Sequence, residues 1–265
     1  MKSTKQDPIG IFDSGVGGTS IWKEIHLLLP NENTVYLADS KHAPYGQKSK
    51  EEIIELAIKN TELLLEKKCK IIVVACNTAT TNAIKILRNK YNVPFIGIEP
   101  AIKPASIITR TNTIGILATK GTLNSSLFAK TSNTLNKEIE IIEQIGEGLV
   151  PLIENGMIKS LEMESMLQKH LKTFIENNVD SLVLGCTHYP YLIPQIKKIL
   201  GSKITIIDSG EAVANQTKRI LELNKALAIK HQITLHQFYT NTNTEVLTQV
   251  LSTKKNNVQV NKLDF

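Results

Sequence analysis

Short apolar segments alternate with longer amphipathic segments along the whole chain, and this alternation predicts a regular series of strands and helices. The amphipathic segments have helical spacing. In the clearest case, Ser49 and Glu52 form a capping-box pattern ahead of a helix with Ile53, Ala57 and Leu64 on its apolar face. The short apolar segments are typical of strands. They predict strands at residues 9–12, 34–38, 71–75, 94–97, 113–118, 138–142, 181–185 and 204–207.

Most of the predicted strands are apolar at every position, and a predicted helix follows each of them. This pattern is typical of parallel sheets that are covered by helices on both faces, so we predict an α/β fold. In such sheets ligands bind beyond the carboxyl ends of the strands. These positions hold Asp13, Ser14, Cys76, Thr119 and Cys186.

Two strand segments occur twice in the same order. Residues 72–78 resemble residues 182–188, with a cysteine at the same place in each copy, and residues 9–14 resemble residues 114–119. The repeat predicts a duplicated α/β unit, that is, two pseudo-symmetric lobes with a mainly parallel sheet in each and an active site in the cleft between them.

The chain contains no linker or low-complexity segment, so the lobe boundaries rest on the repeat alone. We place the first lobe, with Cys76, at residues 1–97 plus 209–265. The second lobe, with Cys186, is placed at residues 98–208.

Composition limits the possible partners. The 265 residues are 42% apolar, enough for the core of two modest lobes. The net charge of +6 comes from scattered lysines and not from an arginine- and aromatic-rich stripe, so a nucleic acid partner is not expected, whereas an anionic small substrate would benefit from the positive field. No apolar run approaches the roughly 20 residues that cross a bilayer, and the N-terminus lacks the apolar stretch of a signal peptide. We expect a cytoplasmic protein without a membrane partner.

Three cysteines are too few for a disulfide framework, and they lack the paired spacing of a zinc site. Cys69 lies in a lysine-rich turn without a counterpart in the repeat, and we interpret it as structural. Cys76 and Cys186 each follow a buried strand at the predicted start of a helix, where the helix dipole favours the thiolate. A lone cysteine at a strand end is typically a core residue. Two thiols in matched copies, however, can approach one carbon from opposite sides, which is the arrangement that a metal-free racemase needs.

Two loops and one histidine carry further candidate chemistry. The glycine-rich turn at residues 13–18 predicts backbone N–H groups that hold a small carboxylate, and Asp13 is either a helix N-cap or an acid–base group. The loop at residues 39–46, with its Pro-Tyr-Gly turn, is either an ordinary surface turn or a binding loop. His188 is either a structural residue or a group that polarises its neighbour.

As an ordered set, six motifs resemble those of the bacterial glutamate racemases in the cofactor-independent aspartate/glutamate racemase family. They are Phe12-Asp13-Ser14-Gly15-Val16-Gly17-Gly18, Pro44-Tyr45-Gly46, Ala75-Cys76-Asn77-Thr78-Ala79, Gly97-Ile98-Glu99-Pro100-Ala101, Leu184-Gly185-Cys186-Thr187-His188-Tyr189-Pro190 and Asp208-Ser209-Gly210. The resemblance implies interconversion of L- and D-glutamate, supplying D-glutamate for peptidoglycan synthesis, by a homodimer. We expect neither pyridoxal phosphate nor a metal, because no lysine has a context that suggests a Schiff base and no metal-ligand set is recognisable.

The resemblance also implies a role for individual residues. Cys76 would take the proton from the D-enantiomer and Cys186 from the L-enantiomer, with Asp13 and His188 as assistants and Glu154 as a further acidic assistant. The implied substrate contacts are Asp13, Ser14, Tyr45, Gly46, Asn77, Thr78, Thr187 and His188.

The chain departs from the family pattern at two places. Ser40-Lys41-His42 stands before Pro44, where the family usually has Thr-Ala-Arg, and Thr19 replaces a common leucine. Three alternatives stay open: racemisation of aspartate or another amino acid by the same thiol pair, a thiol–disulfide or redox-sensor protein, and a binding module without chemistry, including one that associates with DNA.

Overall fold

The computed structural model describes residues 4–201, 203–229, 234–251 and 257–265. Its strands are β1 (Ile9–Asp13), β2 (Thr34–Ala38), β3 (Ile71–Val74), β4 (Phe95–Gly97), β5 (Thr113–Ala118), β6 (Glu140–Ile145), β7 (Ser181–Gly185), β8 (Thr205–Ile207), β9 (His236–Thr240) and β10 (Val258–Lys262).

Helices connect these strands, with short 3₁₀ turns at Ser40–His42, Tyr45–Gln47 and Tyr189–Leu192. The α-helices are α1 (Thr19–Leu28), α2 (Lys50–Glu66), α3 (Asn77–Lys90), α4 (Ile102–Ile108), α5 (Lys120–Leu123), α6 (Ser126–Ser132), α7 (Leu149–Glu154), α8 (Leu161–Glu176), α9 (Ile193–Leu200), α10 (Gly210–Leu223) and α11 (Glu245–Leu251). The predicted capping box is confirmed, since Ser49 and Glu52 exchange hydrogen bonds at the start of α2.

The strands form two sheets in which neighbouring strands are parallel. The order in the first sheet is β10-β9-β2-β1-β3-β4, and in the second it is β6-β5-β7-β8. The second sheet thus has the same order as the β2-β1-β3-β4 part of the first. This equivalence is the structural form of the sequence repeat, with β1 and β5 at matching places and the cysteine-bearing strands β3 and β7 beside them.

Apolar side chains cover both faces of the central strands, so β1, β3 and β7 are fully buried. The predicted α/β fold with two helix-flanked parallel sheets is confirmed. The first sheet takes its strands from residues 9–97 and 236–262, and the second from residues 113–207. The lobe boundaries at 97/98 and 208/209 stay a prediction.

Two strands were not predicted from the sequence. β9 lies between β2 and β10, and its buried positions alternate with half-buried ones. Every position of β10 is half-buried or exposed. Neither has the continuous apolar run that marks the other strands of the first sheet. The sixth strand begins and ends later than predicted, at Glu140–Ile145, and it is an edge strand with three exposed positions.

Candidate active site

A small, almost filled cavity lies where the carboxyl ends of β1, β3, β5 and β7 meet. Nine of the ten predicted site residues line it; the tenth, Asp13, lies fully buried beside it. The residues that line the cavity are Ser14, Pro44, Tyr45, Gly46, Cys76, Asn77, Thr78, Thr119, Thr122, Val150, Gly185, Cys186, Thr187 and His188.

Cys76 comes from the first sheet and is the N-cap of α3, where its Sγ accepts a hydrogen bond from Ala79 N at 3.4 Å. The Ser14 hydroxyl lies 3.7 Å from the same sulfur. Burial raises the pKa of the Cys76 thiol well above its ordinary value and the Asp13 carboxylate raises it further, while the Ala79 N–H and Ser14 lower it by less. The predicted effect of the helix start is therefore present but is outweighed by burial.

Asp13 ends β1 with no exposed surface. Its Oδ2 accepts hydrogen bonds from Gly18 N at 2.6 Å and from Thr187 Oγ1 at 3.3 Å, and its Oδ1 accepts one from Ser14 Oγ at 3.4 Å. Burial raises the pKa of Asp13 to about 6, although His188 and the Gly18 N–H act in the opposite direction. Asp13 thus accepts a hydrogen bond from the start of α1, and the Ser14 hydroxyl connects it to the sulfur of Cys76.

Cys186 comes from the second sheet and has a different partner. Its Sγ lies 3.7 Å from Nδ1 of His188, whose Nε2 lies 2.5 Å from Oε1 of Glu154 on α7. Burial lowers the pKa of His188, but the contacts with Cys186 and Glu154 outweigh it and raise the pKa well above 6.5. Burial raises the pKa of Glu154, but hydrogen bonds from His188, Ser40 and Val16 outweigh it and lower the pKa. The three side chains form a thiol–imidazole–carboxylate chain.

Cys186 differs from Cys76 in its local structure as well. It is followed by Thr187, His188 and the 3₁₀ turn Tyr189–Leu192, and α9 begins only at Ile193. The prediction that both thiols sit directly at helix starts is therefore wrong for Cys186. The imidazole of His188 takes the place of the helix terminus as the source of positive charge.

The glycine-rich turn does not have the predicted role of holding a bound carboxylate with free N–H groups. Val16 N donates to Glu154 Oε1 at 2.7 Å, Gly17 N lies 3.3 Å from His188 Nε2, and Gly18 N donates to Asp13. A Cβ on Gly15 would collide with Glu154, and one on Gly17 with His188. The turn is glycine-rich because the protein's own acid–base groups approach its backbone closely.

The loop after β2 forms one wall of the cavity. Tyr45 is 1% exposed and donates its hydroxyl to Asp39 Oδ2 at 2.5 Å. Asp39 also bonds His42 Nδ1 at 2.6 Å and Asn241 Nδ2 at 2.6 Å. These contacts favour the binding-loop interpretation. The part of Asp39 could not be inferred from a local sequence pattern, since Asn241 is distant in the chain.

Polar groups from both sheets meet at the rim of the cavity. The Thr78 hydroxyl on α3 lies 2.9 Å from that of Thr119, the N-cap of α5, and 3.3 Å from that of Thr122. Asn77 Oδ1 is buried and has no hydrogen-bond partner among the described residues. An unpaired buried acceptor beside the two thiols suits a ligand with N–H donors.

The third thiol is remote from this chemistry. Cys69 is buried and fills the space above Gly10, and burial raises its pKa to about 12. Within the described ranges, no group of three or more histidine, cysteine, aspartate and glutamate side chains is arranged to hold a metal ion. No helix in the same part of the chain is both long and apolar enough to cross a membrane.

The profile of the Asp/Glu/Hydantoin racemase family matches residues 17–217. The chain belongs to this family, and the resemblance identified from the motifs is confirmed. A curated relative, the glutamate racemase of Ralstonia pickettii, is 45% identical over 221 residues, which cover 83% of this chain and 78% of the relative.

Solved structures agree in fold. The glutamate racemase of Francisella tularensis, in complex with D-glutamate, is 30% identical and superposes with a TM-score of 0.83, covering 97% of this chain and 98% of that one. The glutamate racemase of Escherichia coli, in complex with L-glutamate and the activator UDP-MurNAc-Ala, is 31% identical with a TM-score of 0.85, again covering 97% and 98%.

Proposed function

We propose that this protein is a glutamate racemase that interconverts L- and D-glutamate with two thiols as its acid–base pair. The observation that carries the proposal is the placement of Cys76 and Cys186. Both are free thiols, they follow strands at matching places in the two sheets, and they line one small cavity. The family membership and the two relatives solved with opposite enantiomers of glutamate support the choice of substrate.

Racemisation removes the Cα proton from one face and returns a proton to the other, so one fixed base is poorly placed for both steps. In the D-to-L direction the Cys76 thiolate takes the Cα proton and the Cys186 thiol donates its own proton to the opposite face. The enzyme is left with a Cys76 thiol and a Cys186 thiolate, which is the state that accepts L-glutamate. The reverse direction exchanges the two roles.

Each thiol has its own assistant. On the Cys186 side, the Nε2–H of His188 faces the ionised Glu154, and the raised pKa of the imidazole favours the imidazolium, whose Nδ1–H stabilises the Cys186 thiolate. On the Cys76 side, the Ala79 N–H and the Ser14 hydroxyl are the groups that stabilise the thiolate. A substrate ammonium next to Cys76 would add positive charge and lower the pKa of that thiol toward its ordinary range.

The carbanion at Cα is the difficult intermediate, because a C–H bond beside a carboxylate is a weak acid. Placed donors at the α-carboxylate and an ammonium kept protonated would stabilise it in a site closed to water. Asn77 Oδ1 is a suitable acceptor for the ammonium, while the hydroxyls of Thr78 and Thr119 are suitable donors for the carboxylates.

Several finer statements belong to the same proposal. The enzyme acts in the cytoplasm as a homodimer, supplies D-glutamate for peptidoglycan synthesis and uses no cofactor. The family resemblance supports each of these statements. Light scattering on the purified protein tests the dimer, and the D-glutamate requirement of cells depleted of the protein tests the role in the cell wall.

The decisive experiment is deuterium incorporation at Cα of D- and L-glutamate in ²H₂O without added cofactor. We expect incorporation from both enantiomers, and loss of racemisation in Cys76→Ser and in Cys186→Ser because a hydroxyl is too weak an acid to supply the resting base. Cys69→Ser is the matched control and should keep the wild-type rate. Near-normal racemisation in Cys186→Ser would contradict the two-thiol mechanism, and faster turnover of aspartate in the same assay would change the assigned substrate. A reversible disulfide between Cys76 and Cys186 that accompanies function would favour the redox alternative.

A further inference from the structure

The carboxylate of Glu154 accepts three hydrogen bonds, and two of them come from the other sheet's loops. Val16 N, which follows β1, donates to Oε1 at 2.7 Å, and the Ser40 hydroxyl, which follows β2, donates to Oε2 at 2.7 Å. Glu154 itself ends α7, which follows β6 of the second sheet. The side chain of Glu154 is only 10% exposed, so these donors are a large part of its surroundings.

The two carboxylate oxygens have different tasks. Oε1 lies 2.5 Å from His188 Nε2 and also accepts from Val16 N, so it faces the histidine that contacts Cys186. Oε2 accepts one hydrogen bond among the described residues, and that bond comes from Ser40. A carboxylate that is anchored at both oxygens cannot rotate, and the oxygen that bonds the histidine is thereby fixed in place.

The donors and acceptors set the direction of the series of hydrogen bonds that runs from Ser40 to Cys186. The Ser40 O–H donates to Glu154, Glu154 accepts from His188 Nε2, and His188 Nδ1 faces the Cys186 sulfur at 3.7 Å. Cys76 has a separate set of neighbours, namely Ser14 and Ala79 N. A change at Ser40 should therefore act more strongly on Cys186 than on Cys76.

We propose that Ser40 is a positioning residue for Cys186: its hydroxyl fixes Glu154, which orients His188 toward the thiol that handles L-glutamate. Because Ser40 and Glu154 follow strands of different sheets, the complete series of hydrogen bonds from Ser40 to Cys186 exists only when the loops of the two sheets are in contact. Closure of the cleft and preparation of Cys186 are thus one event. This inference rests on the proposed function, since it assigns Ser40 a part in the same reaction.

The test uses a reaction that needs only one base. With 3-chloroglutamate, a thiolate takes the Cα proton, chloride leaves from Cβ with the bonding electrons, and the resulting enamine hydrolyses to 2-oxoglutarate and ammonium. The L-analogue reports on Cys186 and the D-analogue on Cys76, so the two thiols are measured separately. The variants are Ser40→Ala, Ser40→Thr and, as a matched control, Ser106→Ala. The Ser106 hydroxyl of the wild type donates to the Lys103 carbonyl on α4.

We expect Ser40→Ala to lower kcat for elimination from the L-analogue about fivefold. This is less than the full effect of losing one charge-assisted hydrogen bond, because only part of that loss is transmitted through Glu154 and His188 to Cys186. The D-analogue should change by less than about twofold. Ser40→Thr keeps the hydroxyl and should restore the L-side rate, and Ser106→Ala should resemble the wild type with both analogues. Circular dichroism at the assay temperature verifies that each variant is folded.

Three results would overturn the inference: equal loss with both analogues, no loss in Ser40→Ala, or a loss in Ser40→Thr as large as that in Ser40→Ala. Failure of the proposed function looks different. In that case the wild type itself would neither racemise glutamate nor eliminate chloride from either analogue.

Discussion

Two buried carboxylates flank the cavity, and their surroundings shift their pKa values in opposite directions. Burial raises the pKa of Asp13 to about 6, because hydrogen bonds alone do not replace the lost water. Glu154 is buried as well, but the His188 imidazole and two further donors more than offset that burial and lower its pKa. Glu154 is therefore built to stay ionised, whereas Asp13 can gain and lose a proton near physiological pH, which suits the residue linked to Cys76 through Ser14.

The raised pKa of Asp13 leads to a prediction for Asp13→Asn. Since the folded-state pKa of about 6 lies above the unfolded value of 3.8, ionisation of Asp13 weakens folding, and the loss develops as pH rises from about 4 to about 6. The asparagine side chain does not ionise, so the variant does not lose unfolding free energy in this way as pH rises. Relative to the wild type it should gain up to about 3 kcal/mol of unfolding free energy between pH 4 and pH 7, and lose most racemase activity. Urea unfolding at both pH values measures the gain, and a difference that does not change with pH would contradict the assignment.

At this scale the sequence predicted the two thiols of the proposed mechanism but not the residues that hold their neighbours in place. Cys76 and Cys186 stand at the same place in a repeated segment, so their pairing could be inferred without a structure. Ser40 and Asp39 act on Glu154 and Asn241, which are far away in the chain, and no local pattern marks such contacts. The glycine-rich turn was misinterpreted for the same reason, because its partners Glu154 and His188 come from the second half of the chain.

At the scale of elements, the two sheets meet where α5 contacts α3 and the turn Tyr45–Gln47. Gly121 on α5 lies so close that an added Cβ would be 2.9 Å from Thr78 Cγ2 and 3.1 Å from the Gly46 backbone. The hydroxyl cluster of Thr78, Thr119 and Thr122 lies at the same contact. This contact therefore sets how closely the two sheets, and with them the two thiols, can approach each other.

Gly121→Ala should increase the distance between α5 and its neighbours α3 and Tyr45–Gln47 by a few tenths of an ångström relative to the wild type. In the proposed mechanism both thiols reach one carbon, so we expect kcat/KM for both enantiomers to fall about tenfold, with only a small change in the melting temperature. Lys130→Ala on the neighbouring helix α6 is exposed and serves as the control. A variant that melts much earlier but keeps its kcat/KM would show that the contact matters for stability alone.

Among elements, the strands of the repeat could be predicted because their apolar runs are continuous and buried on both faces. β9 and β10 could not, because polar residues such as Gln237 and Asn261 interrupt the apolar pattern. β9 takes its position by pairing with β2, which is distant in the chain, and β10 takes its position by pairing with β9.

At the scale of the whole molecule, one buried ion pair joins distant segments of the chain. Lys70 Nζ contacts Glu32 Oε2 at 2.6 Å, the Lys5 carbonyl at 2.6 Å and the Ala226 carbonyl at 2.9 Å. Glu32 Oε1 in turn accepts from Ala228 N at 2.8 Å. The pair thus connects the N-terminal residues, the beginning of the central strand β3 and the segment after α10 that leads into β9.

Lys70→Met should remove about 3–5 kcal/mol from the free energy of unfolding, because it leaves Glu32 buried without its counter-ion. Activity of the folded fraction at low temperature should be retained, since the pair lies away from the cavity. Lys90→Met is the matched control: Lys90 pairs with Glu62 at 3.2 Å on the surface, so its loss should matter little. Denaturant titrations of both variants make the comparison, and similar small effects would contradict a joining role for Lys70.

The charges around the cavity predict the side from which the substrate approaches. Two larger cavities adjoin the central one and share Pro44 and Val150 with it. Among the described residues, those that line the first include the carboxylates of Glu154 and Glu245 and no lysine or arginine. Those that line the second include Lys120 and Lys169 and, in the same part of the chain, one carboxylate, that of Glu147. Glutamate carries a net negative charge, so the field favours its approach from the lysine side.

Charge reversal tests this route. Lys120→Glu should lower kcat/KM for both enantiomers about three- to tenfold at low ionic strength, because the lysine field raises the local concentration of the anion. The deficit should shrink at about 1 M salt, where the screening length is only about 3 Å. Lys137→Glu, an exposed change of equal charge near the amino end of β6 and away from the carboxyl-end cavity, is the control. If both variants lose the same activity, the effect comes from net charge alone; if the loss in Lys120→Glu does not vary with salt, the lysine acts by direct contact and the steering argument is wrong.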